Sequence, residues 1–320
     1  MWRSSLETEL AAVLESARLH PVVSPSQMRG GSDKVTFRVI TRHGPFVVQF
    51  YERTAAVVEY TLPFVAFLAR RGFPTPSPHR LTDGAFVRHG RRPAAVFPLA
   101  GGIHPRVTVI VAGQMGSALA TLHRTASRYP ETLPSLDRLG VIRAAILVAD
   151  ASSSLASWSE VARAFLGETE ERWTAEELQL PSKPIHHDFH AGNLLATAGV
   201  LTDVIDFDEV QRAPFIIDIA RALHYFAREA LDFRLPPALA ASFLHGYEAI
   251  RRLETGERAA LDAAYQLANL THVAFSILDP CDRPATLDDS LRHRVYLAGS
   301  GALRPLAVSQ RSTRPITVSV

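Results

Sequence analysis

One short segment of the chain concentrates side chains that can do chemistry. Residues 185–195 are IHHDFHAGNLL, and residues 204–209 are VIDFDE, which places an Asp-Phe-Asp inside an apolar run. Polar groups among apolar neighbours cost free energy unless they are paired or used. The residue types are typical of three kinds of site: a metal centre, a nucleophile with its base, and a site of phosphate transfer.

Three polar side chains in this segment have a spacing that favours phosphate transfer. Asp188 precedes Asn193 by five residues, and Asp206 follows Asn193 by thirteen. Two short strands around a turn at residues 197–199 would bring Asp206 back beside Asn193. One amide and one carboxylate suit Mg²⁺, which prefers few protein oxygens together with substrate phosphates. Asp188 on the loop could then orient a hydroxyl group and accept its proton, which predicts a phosphoryl-transfer site.

The histidines of the same segment leave a metal-dependent hydrolase as an alternative. His186, His187 and His190 could bind Zn²⁺ or Fe²⁺ with Asp206 or Asp208, because histidine is the commonest ligand of such metals. Adjacent histidines in an extended segment point to opposite faces, however, and the chain has no HExxH motif. Phosphoryl transfer is therefore the preferred interpretation.

The composition of the whole chain limits its partners and its compartment. The net charge of +2 over 320 residues is too small to indicate nucleic acid or an anionic membrane surface as the main partner. Cys281 is the only cysteine, so a disulfide framework within the chain is excluded, which fits a reducing cytoplasm. The N-terminal segment lacks the apolar core of a signal peptide, and no apolar run reaches ~18 residues. We expect a cytoplasmic protein without a membrane span.

The elements that must position these side chains change in type along the chain. β-rich runs between turn residues predict a three-stranded antiparallel meander in residues 20–52 and two more strands in residues 85–99. After Gly101 and Gly102, apolar positions recur at intervals of three and four, which predicts helices. We therefore expect an α+β chain with a sheet lobe at residues 1–99 and a helical lobe at residues 100–320. The predicted helices cover residues 5–19, 55–71, 107–126, 155–178, 216–231, 236–254 and 256–278.

Three motifs in the C-terminal half resemble those of a known superfamily. HHDFHAGNLL, VIDFDEV and FIIDIARAL resemble the aminoglycoside phosphotransferase-like kinases, which share the protein-kinase fold and include choline kinases and one class of homoserine kinase. FVVQFYE and MGSALATLH are similar to the homoserine kinase branch. The resemblance implies a bilobal protein-kinase-like fold and an ATP- and Mg²⁺-dependent kinase that phosphorylates a hydroxyl group of a small molecule, either a homoserine-like amino alcohol or an antibiotic-like acceptor. The residues that match the motifs are His186, Asp188, His190, Asn193, Asp206, Asp208 and Asp218, and His187 replaces the usual glycine.

The same resemblance implies roles for the polar residues of the catalytic segment. Asp188 is expected to be the catalytic base, and Asn193 and Asp206 are expected to bind Mg²⁺. Asp208 would assist the metal or the substrate, with a purely structural role as an open alternative. His190 is expected close to the substrate.

Other residues are expected to support the loop or to bind the acceptor. His186 and Asp218 would stabilise the catalytic loop, because a buried aspartate at a helix start can accept hydrogen bonds from loop N–H groups. The segment after residue 230 has no acidic surplus, which disfavours a polycationic acceptor. The carboxylate of an amino-acid acceptor would need an arginine. Arg212 is the candidate named for that role, and Arg221 is a further possibility.

The nucleotide-binding half departs from the superfamily pattern at one position. The third strand normally supplies a lysine to the nucleotide's phosphates, and Gln49 takes that place here. This leaves a catalytically weak nucleotide-binding scaffold as an alternative function. Lys34 and Lys183 are the only lysines in the chain. The residues predicted to contact nucleotide are Gly30, Gly31 and Ser32 over the phosphates, Val47 and Gln49 on the third strand, and Phe97 and Leu99 at the hinge.

Overall fold

The structure, a computed structural model, shows two compact units that each combine distant parts of the sequence. The predicted division at residues 99 and 100 stays a prediction. Gly30, Gly31, Ser32 and Cys281 lie outside the described part of the chain. The described residues are 2–28, 34–152, 155–177, 179–230 and 234–278. The first unit takes its residues from 1–106, 125–133 and 191–210, and the second from 107–124, 134–190 and 211–320.

A four-stranded antiparallel sheet forms the N-terminal part of the first unit. Its two long strands are paired over their full length, and Gly44, the first residue of the second of them, has φ +114°, which favours glycine. The predicted meander is confirmed. A strand was predicted for the run FVRHG, but this run forms only a single β-bridge, from Arg88 to Ala94. Gly90 and the arginines after it turn the chain directly into the next strand. The strands are β1, Ser26–Gln27; β2, Lys34–Thr41; β3, Gly44–Tyr51; and β4, Ala94–Pro98.

The two faces of this sheet have different surroundings, because side chains alternate along a strand. Phe37 and Val39 on one strand and Val48 and Phe50 on the next are buried in a cluster with the N-terminal helix, which contributes Leu10. The intervening residues of β2 and β3 lie on the opposite face and are free to line a cavity. The predicted helices of this unit are confirmed as α1, Trp2–Ser16, and α2, Ala55–Arg70.

Helices make up most of the second unit. One of them was not predicted from the sequence, although its first residues carry a start signal: the side chain of Asp137 accepts the N–H of Gly140 at 2.8 Å. Among the described residues, no helix is long and apolar enough to cross a membrane. The helices are α3, Val109–Ala126; α4, Arg138–Ala149; α5, Ala156–Glu177; α6, Phe215–Arg228; α7, Pro237–Ile250; and α8, Thr255–Leu278, with a two-stranded sheet of β5, Ser182–Ile185, and β8, Gln211–Pro214.

Glycines allow α3 and α7 to cross at very short distance. A Cβ atom on Gly116 would lie 1.9 Å from the carbonyl oxygen of Phe243, and one on Gly246 would lie 2.0 Å from that of Gly113. No side chain other than hydrogen fits at such a crossing. The small residues at intervals of four in α3 therefore give the close packing that their spacing predicts.

A second hairpin in the first unit positions the segment that contains Asp206. Ala198 and Gly199 have φ of 50° and 79°, the backbone of a two-residue hairpin turn. The N–H of Ile205 donates to the carbonyl of Asn193 at 2.9 Å, so the chain returns beside the start of the hairpin. This hairpin was predicted and is confirmed. Its strands are β6, Leu194–Thr197, and β7, Val200–Val204.

Candidate active site

The first unit contains a cavity of about 520 Å³ against the open face of its sheet. This volume is typical of small-molecule sites. The cavity has an apolar part and a polar end, as expected for a ligand with an aromatic ring and charged groups. The apolar lining includes Val47, Leu62, Val65, Phe97 and Leu99, and the polar lining includes Gln49, Tyr51, Asp206 and Asp208.

Four of the residues predicted to contact nucleotide are brought together in this cavity: Val47, Gln49, Phe97 and Leu99. The alternation of β3 explains why Val47, Gln49 and Tyr51 share the cavity face. The hydroxyl of Tyr51 donates to Oε1 of Gln49 at 3.0 Å, so the amide oxygen of Gln49 is already engaged. Their contact with nucleotide stays a prediction.

A lysine with no role assigned from the sequence contacts the two carboxylates at the polar end of the cavity. The ammonium of Lys34 lies 2.9 Å from Oδ1 of Asp206 and 3.0 Å from Oδ2 of Asp208. Burial alone would lower the pKa of Lys34, but the charges of Asp208 and Asp206 raise it above its ordinary value. Burial raises the pKa of Asp208, and the nearby charge of Asp206 adds to this effect. The carboxylates of Asp206 and Asp208 thus form a cation-binding position, which the ammonium of Lys34 occupies.

The donors at this end fit a magnesium ion. Asp206 has φ 64°, a left-handed backbone that is uncommon outside glycine and that turns the residue out of the strand direction after β7. Asn193 is nearly buried at the start of the same hairpin. Within the described residues, no group of three or more His, Cys, Asp or Glu side chains is arranged to bind a metal. The two carboxylates suit Mg²⁺, which takes its remaining ligands from phosphate and water, and the contact of the Asn193 amide with that ion stays a prediction. For the metal-dependent hydrolase alternative, the described residues provide no cluster of three metal ligands.

The second unit contains Asp188 in a cluster of donors. Its carboxylate accepts a hydrogen bond from the hydroxyl of Tyr225, and the guanidinium of Arg221 lies 3.6 Å from Oδ1. Nε2 of His190 lies 3.5 Å from Oδ2. A quarter of the Asp188 side chain is exposed, so a substrate can still reach it.

The backbone beside Asp188 is fixed by a fully buried aspartate. The carboxylate of Asp218 accepts the N–H groups of His186 and His187, each at 2.8 Å. It also accepts Nε2–H of His123 at 3.0 Å. Nε of Arg221 donates to the carbonyl of His187 at 2.6 Å. These are the contacts that the predicted stabilising role of Asp218 requires.

The donors around Asp188 also determine its charge. Burial alone would raise the pKa of Asp188. Hydrogen bonds from His190 and Tyr225, with the charge of Arg221, instead hold this pKa well below its usual range. Burial would likewise raise the pKa of Asp218, and its contact with His123 lowers it. Asp188 is therefore an ionised carboxylate, as a hydrogen-bond acceptor for a hydroxyl group must be.

The structure places Arg212 away from these clusters, and two residues within them, Tyr225 and Lys34, were not assigned a role from the sequence. Arg212 is exposed on β8, and its N–H donates to the carbonyl of Pro134. Its substrate role stays a prediction, whereas Arg221 is the arginine that contacts Asp188. A signal for Arg221 and Tyr225 existed, because they follow Asp218 by three and seven residues and so share one face of α6. No comparable signal indicated Lys34.

The chain is similar to known proteins over most of its length. The sequence matches the family described as "Phosphotransferase enzyme family" over residues 25–264. It is 29% identical over 283 residues to a homoserine kinase of Bradyrhizobium sp. (strain BTAi1 / ATCC BAA-1182), covering 87% of this chain and 86% of the relative.

Solved structures show the same fold at low sequence identity. The microcompartment-associated aminopropanol kinase has a TM-score of 0.67 at 20% identity, covering 95% of this chain and 99% of that one. An aminoglycoside phosphotransferase from Alicyclobacillus acidocaldarius subsp. acidocaldarius DSM 446 has a TM-score of 0.63 at 17% identity, covering 90% and 94%. The predicted fold class is therefore confirmed.

Proposed function

This chain belongs to the phosphotransferase enzyme family, and we propose that it transfers the γ-phosphate of MgATP to a hydroxyl group of a small, homoserine-like amino alcohol. The observation that supports this most is geometric: Asp188, which accepts the hydroxyl of Tyr225, follows two residues, His186 and His187, whose N–H groups both donate to Asp218. The predicted superfamily and the predicted enzyme class are confirmed by the family match. The nucleotide, the metal and the acceptor belong to the proposal.

The cavity of the first unit is the proposed nucleotide site. The adenine would pack between Val47 and Leu99, and its phosphates would lie toward Asp206 and Asp208, which line the polar end. Asn193 and Asp206 would bind Mg²⁺, which supplies charge neutralisation for the phosphates when bound. Val47, Gln49, Phe97 and Leu99 are proposed as nucleotide contacts on the same basis.

Asp188 is the proposed base for the acceptor hydroxyl. Its carboxylate would orient the O–H group and take its proton as the acceptor oxygen forms a bond to the γ-phosphorus. The bond from that phosphorus to the β–γ bridging oxygen breaks in the same step, and ADP leaves with the electron pair. Positioning supplies much of the catalysis in this chemistry, which is consistent with a loop held by Asp218 and Arg221.

The relatives guide the choice of acceptor. The relative from Bradyrhizobium is named a homoserine kinase, and an amino alcohol that also has a carboxylate needs a cationic partner. Arg212 stays the predicted partner, and Arg221, beside Asp188, is a second arginine for this role. A homoserine-like acceptor is therefore our first choice.

A panel of hydroxyl compounds tests the proposal. We would incubate the purified protein with MgATP and homoserine, threonine, choline, ethanolamine, 1-amino-2-propanol or kanamycin, and record ADP release and the mass of the product. We expect ADP release that depends on an amino alcohol, with a product that has gained one phosphate group. Asp188→Asn gives the background rate. ADP release at that background rate with every compound would contradict the proposal.

One observation favours the scaffold alternative enough to keep it. Gln49 has no charge to offer the phosphates, and its amide oxygen accepts the hydroxyl of Tyr51. A scaffold would bind MgATP and gain thermal stability from it, but it would release no ADP with any acceptor. The panel and a thermal melt with MgATP together distinguish the two functions.

A further inference from the structure

A buried lysine at the start of β2 contacts the two carboxylates at the polar end of the cavity. Lys34 has 11% of its side chain exposed, and its ammonium is within hydrogen-bond distance of Asp206 and Asp208. The other lysine, Lys183, is exposed on β5. Burying an ammonium is costly, and a buried ion pair is weak evidence for a role in stability. The contacts of Lys34 therefore call for a functional explanation.

The register of the sheet puts Lys34 within reach of the region that Gln49 faces. Thr36 lies directly opposite Gln49, and Lys34 lies directly opposite Tyr51. Because side chains alternate, Lys34 and Thr36 are on the same face, and Thr36 lines the cavity. Diagonal neighbours across two antiparallel strands are about 7–8 Å apart, a distance that a long side chain spans. The ammonium of Lys34 can thus reach the position that the ammonium of a lysine at residue 49 would occupy.

We propose that Lys34 binds the phosphates of the nucleotide in place of a lysine on β3, and that its ammonium occupies the cation position between Asp206 and Asp208 while nucleotide and metal are absent. The inference rests on the proposed function, since it assigns a residue to that nucleotide site. A divalent cation at Asp206 would compete with the ammonium for the same carboxylate oxygens. The ammonium released by this competition would pair with the nearest new anion, which is a phosphate of the nucleotide.

This arrangement predicts two effects of opposite sign when the ammonium is removed. In Lys34→Met, the pair of carboxylates loses its internal cation, so a divalent cation alone binds more tightly. The phosphates lose a charged hydrogen-bond donor, so the nucleotide binds more weakly. A counter-ion that only balanced the carboxylates would produce the first effect without the second.

The experiment measures both affinities in the same variants. Mn²⁺ alone is titrated by electron paramagnetic resonance, and ATP is titrated by calorimetry in the presence of EDTA. For Lys34→Met we expect Mn²⁺ affinity to rise several-fold and metal-free ATP affinity to fall about 10- to 100-fold, the range for a hydrogen bond to a charged group. Lys34→Arg should retain most of the ATP affinity. Lys183→Met, which removes the exposed lysine, should match the wild type in both titrations.

The outcomes separate this inference from the proposed function. ATP affinity unchanged in Lys34→Met, with wild type and Lys183→Met binding ATP normally, would overturn the role of Lys34 alone. Absence of ATP binding in wild type and Lys183→Met, with or without metal, would overturn the proposed nucleotide site and this inference with it. If circular dichroism shows that Lys34→Met does not fold, Lys34→Gln, which keeps a polar end beside the carboxylates, takes its place with the same expectations.

Discussion

Asp188 depends for its charge on His190 within its own sequence motif and on side chains outside that motif. The hydroxyl of Tyr225 donates to its carboxylate, and Arg221 adds a positive charge 3.6 Å away. Both residues come from α6, whose first turn also supplies Asp218 to the loop backbone. One helix thus supports the loop of the proposed base and, together with His190, keeps Asp188 ionised.

Replacing Tyr225 with phenylalanine should change the pH dependence of the reaction. The hydroxyl lowers the pKa of Asp188, so its removal raises that pKa. A base works only when it is ionised, and activity is lost as the pH falls through its pKa. We expect the acid limb of the kcat/KM profile to move to higher pH in Tyr225→Phe, with about a tenfold lower plateau from the lost charged hydrogen bond.

The control for this variant is Tyr265→Phe, which removes a buried hydroxyl from α8. Its acid limb should coincide with that of the wild type. An acid limb that does not move in Tyr225→Phe would mean that Tyr225 does not determine the charge of Asp188.

His187 has an uncommon backbone conformation, with φ 65°. For a residue with a Cβ this conformation costs roughly 1–2 kcal/mol, which glycine avoids. His187→Gly and His187→Ala remove the same buried ring, so the difference between them isolates the backbone term. We expect the glycine variant to be more stable than the alanine variant by about 1 kcal/mol in urea unfolding. Equal stability of the two variants would show that the loop relaxes to a negative φ.

Lys34 was not found from the sequence because a motif shows only residues that are close together along the chain. Asp188, Asn193 and Asp206 were found because their types and spacing lie within one segment. Lys34 is 172 residues away from Asp206 along the chain, and only the tertiary fold brings the two together. Its neighbours Asp33 and Val35 give no pattern that indicates chemistry.

The close packing of two whole helices, α3 and α7, depends on glycine where they cross. The Cβ positions of Gly116 and Gly246 would overlap backbone atoms of the facing helix, and backbone cannot move aside as a flexible side chain can. These two helices therefore cannot tolerate even a methyl group at the crossing.

Gly116→Ala should destabilise the protein by about 3 kcal/mol, the upper end of the usual cost of overpacking. The matched control is Gly167→Ala in α5, where the added Cβ meets nothing within 4 Å. That control should gain about 0.5–1 kcal/mol, because alanine favours a helix more than glycine does. Urea unfolding measures both. A loss of less than about 0.5 kcal/mol in Gly116→Ala would contradict the close crossing.

Elements with a strong local pattern were predicted well, and elements that depend on tertiary contacts were not. The β6–β7 hairpin follows from a two-residue turn at Ala198 and Gly199, which local chemistry favours. α4 was missed because its apolar residues run almost without interruption, as in VIRAAILVA. Such a run has no clear helical period, since both the partly exposed and the buried faces are apolar.

At the scale of the whole molecule, the chain builds each compact unit from separate segments. Residues 191–210 belong to the first unit with the N-terminal sheet, and residues 134–190 belong to the second. Asp188 therefore belongs to one unit and Asp206 to the other, although eighteen residues separate them in sequence. The sequence predicts a sheet followed by helices, because the residue pattern changes once along the chain. That single change cannot show that residues 191–210 return to the first unit.

The central claim is that Asp188 takes part in phosphate transfer and not in nucleotide binding. The most direct test measures MgATP affinity and the rate of transfer to the acceptor from the panel, side by side, in wild type and Asp188→Asn. We expect MgATP to bind the variant within about threefold of the wild type, because the cavity residues belong to the first unit, while transfer falls roughly 10²- to 10⁴-fold, the usual contribution of a general base. Transfer at the wild-type rate, or loss of MgATP binding together with transfer, would contradict the account.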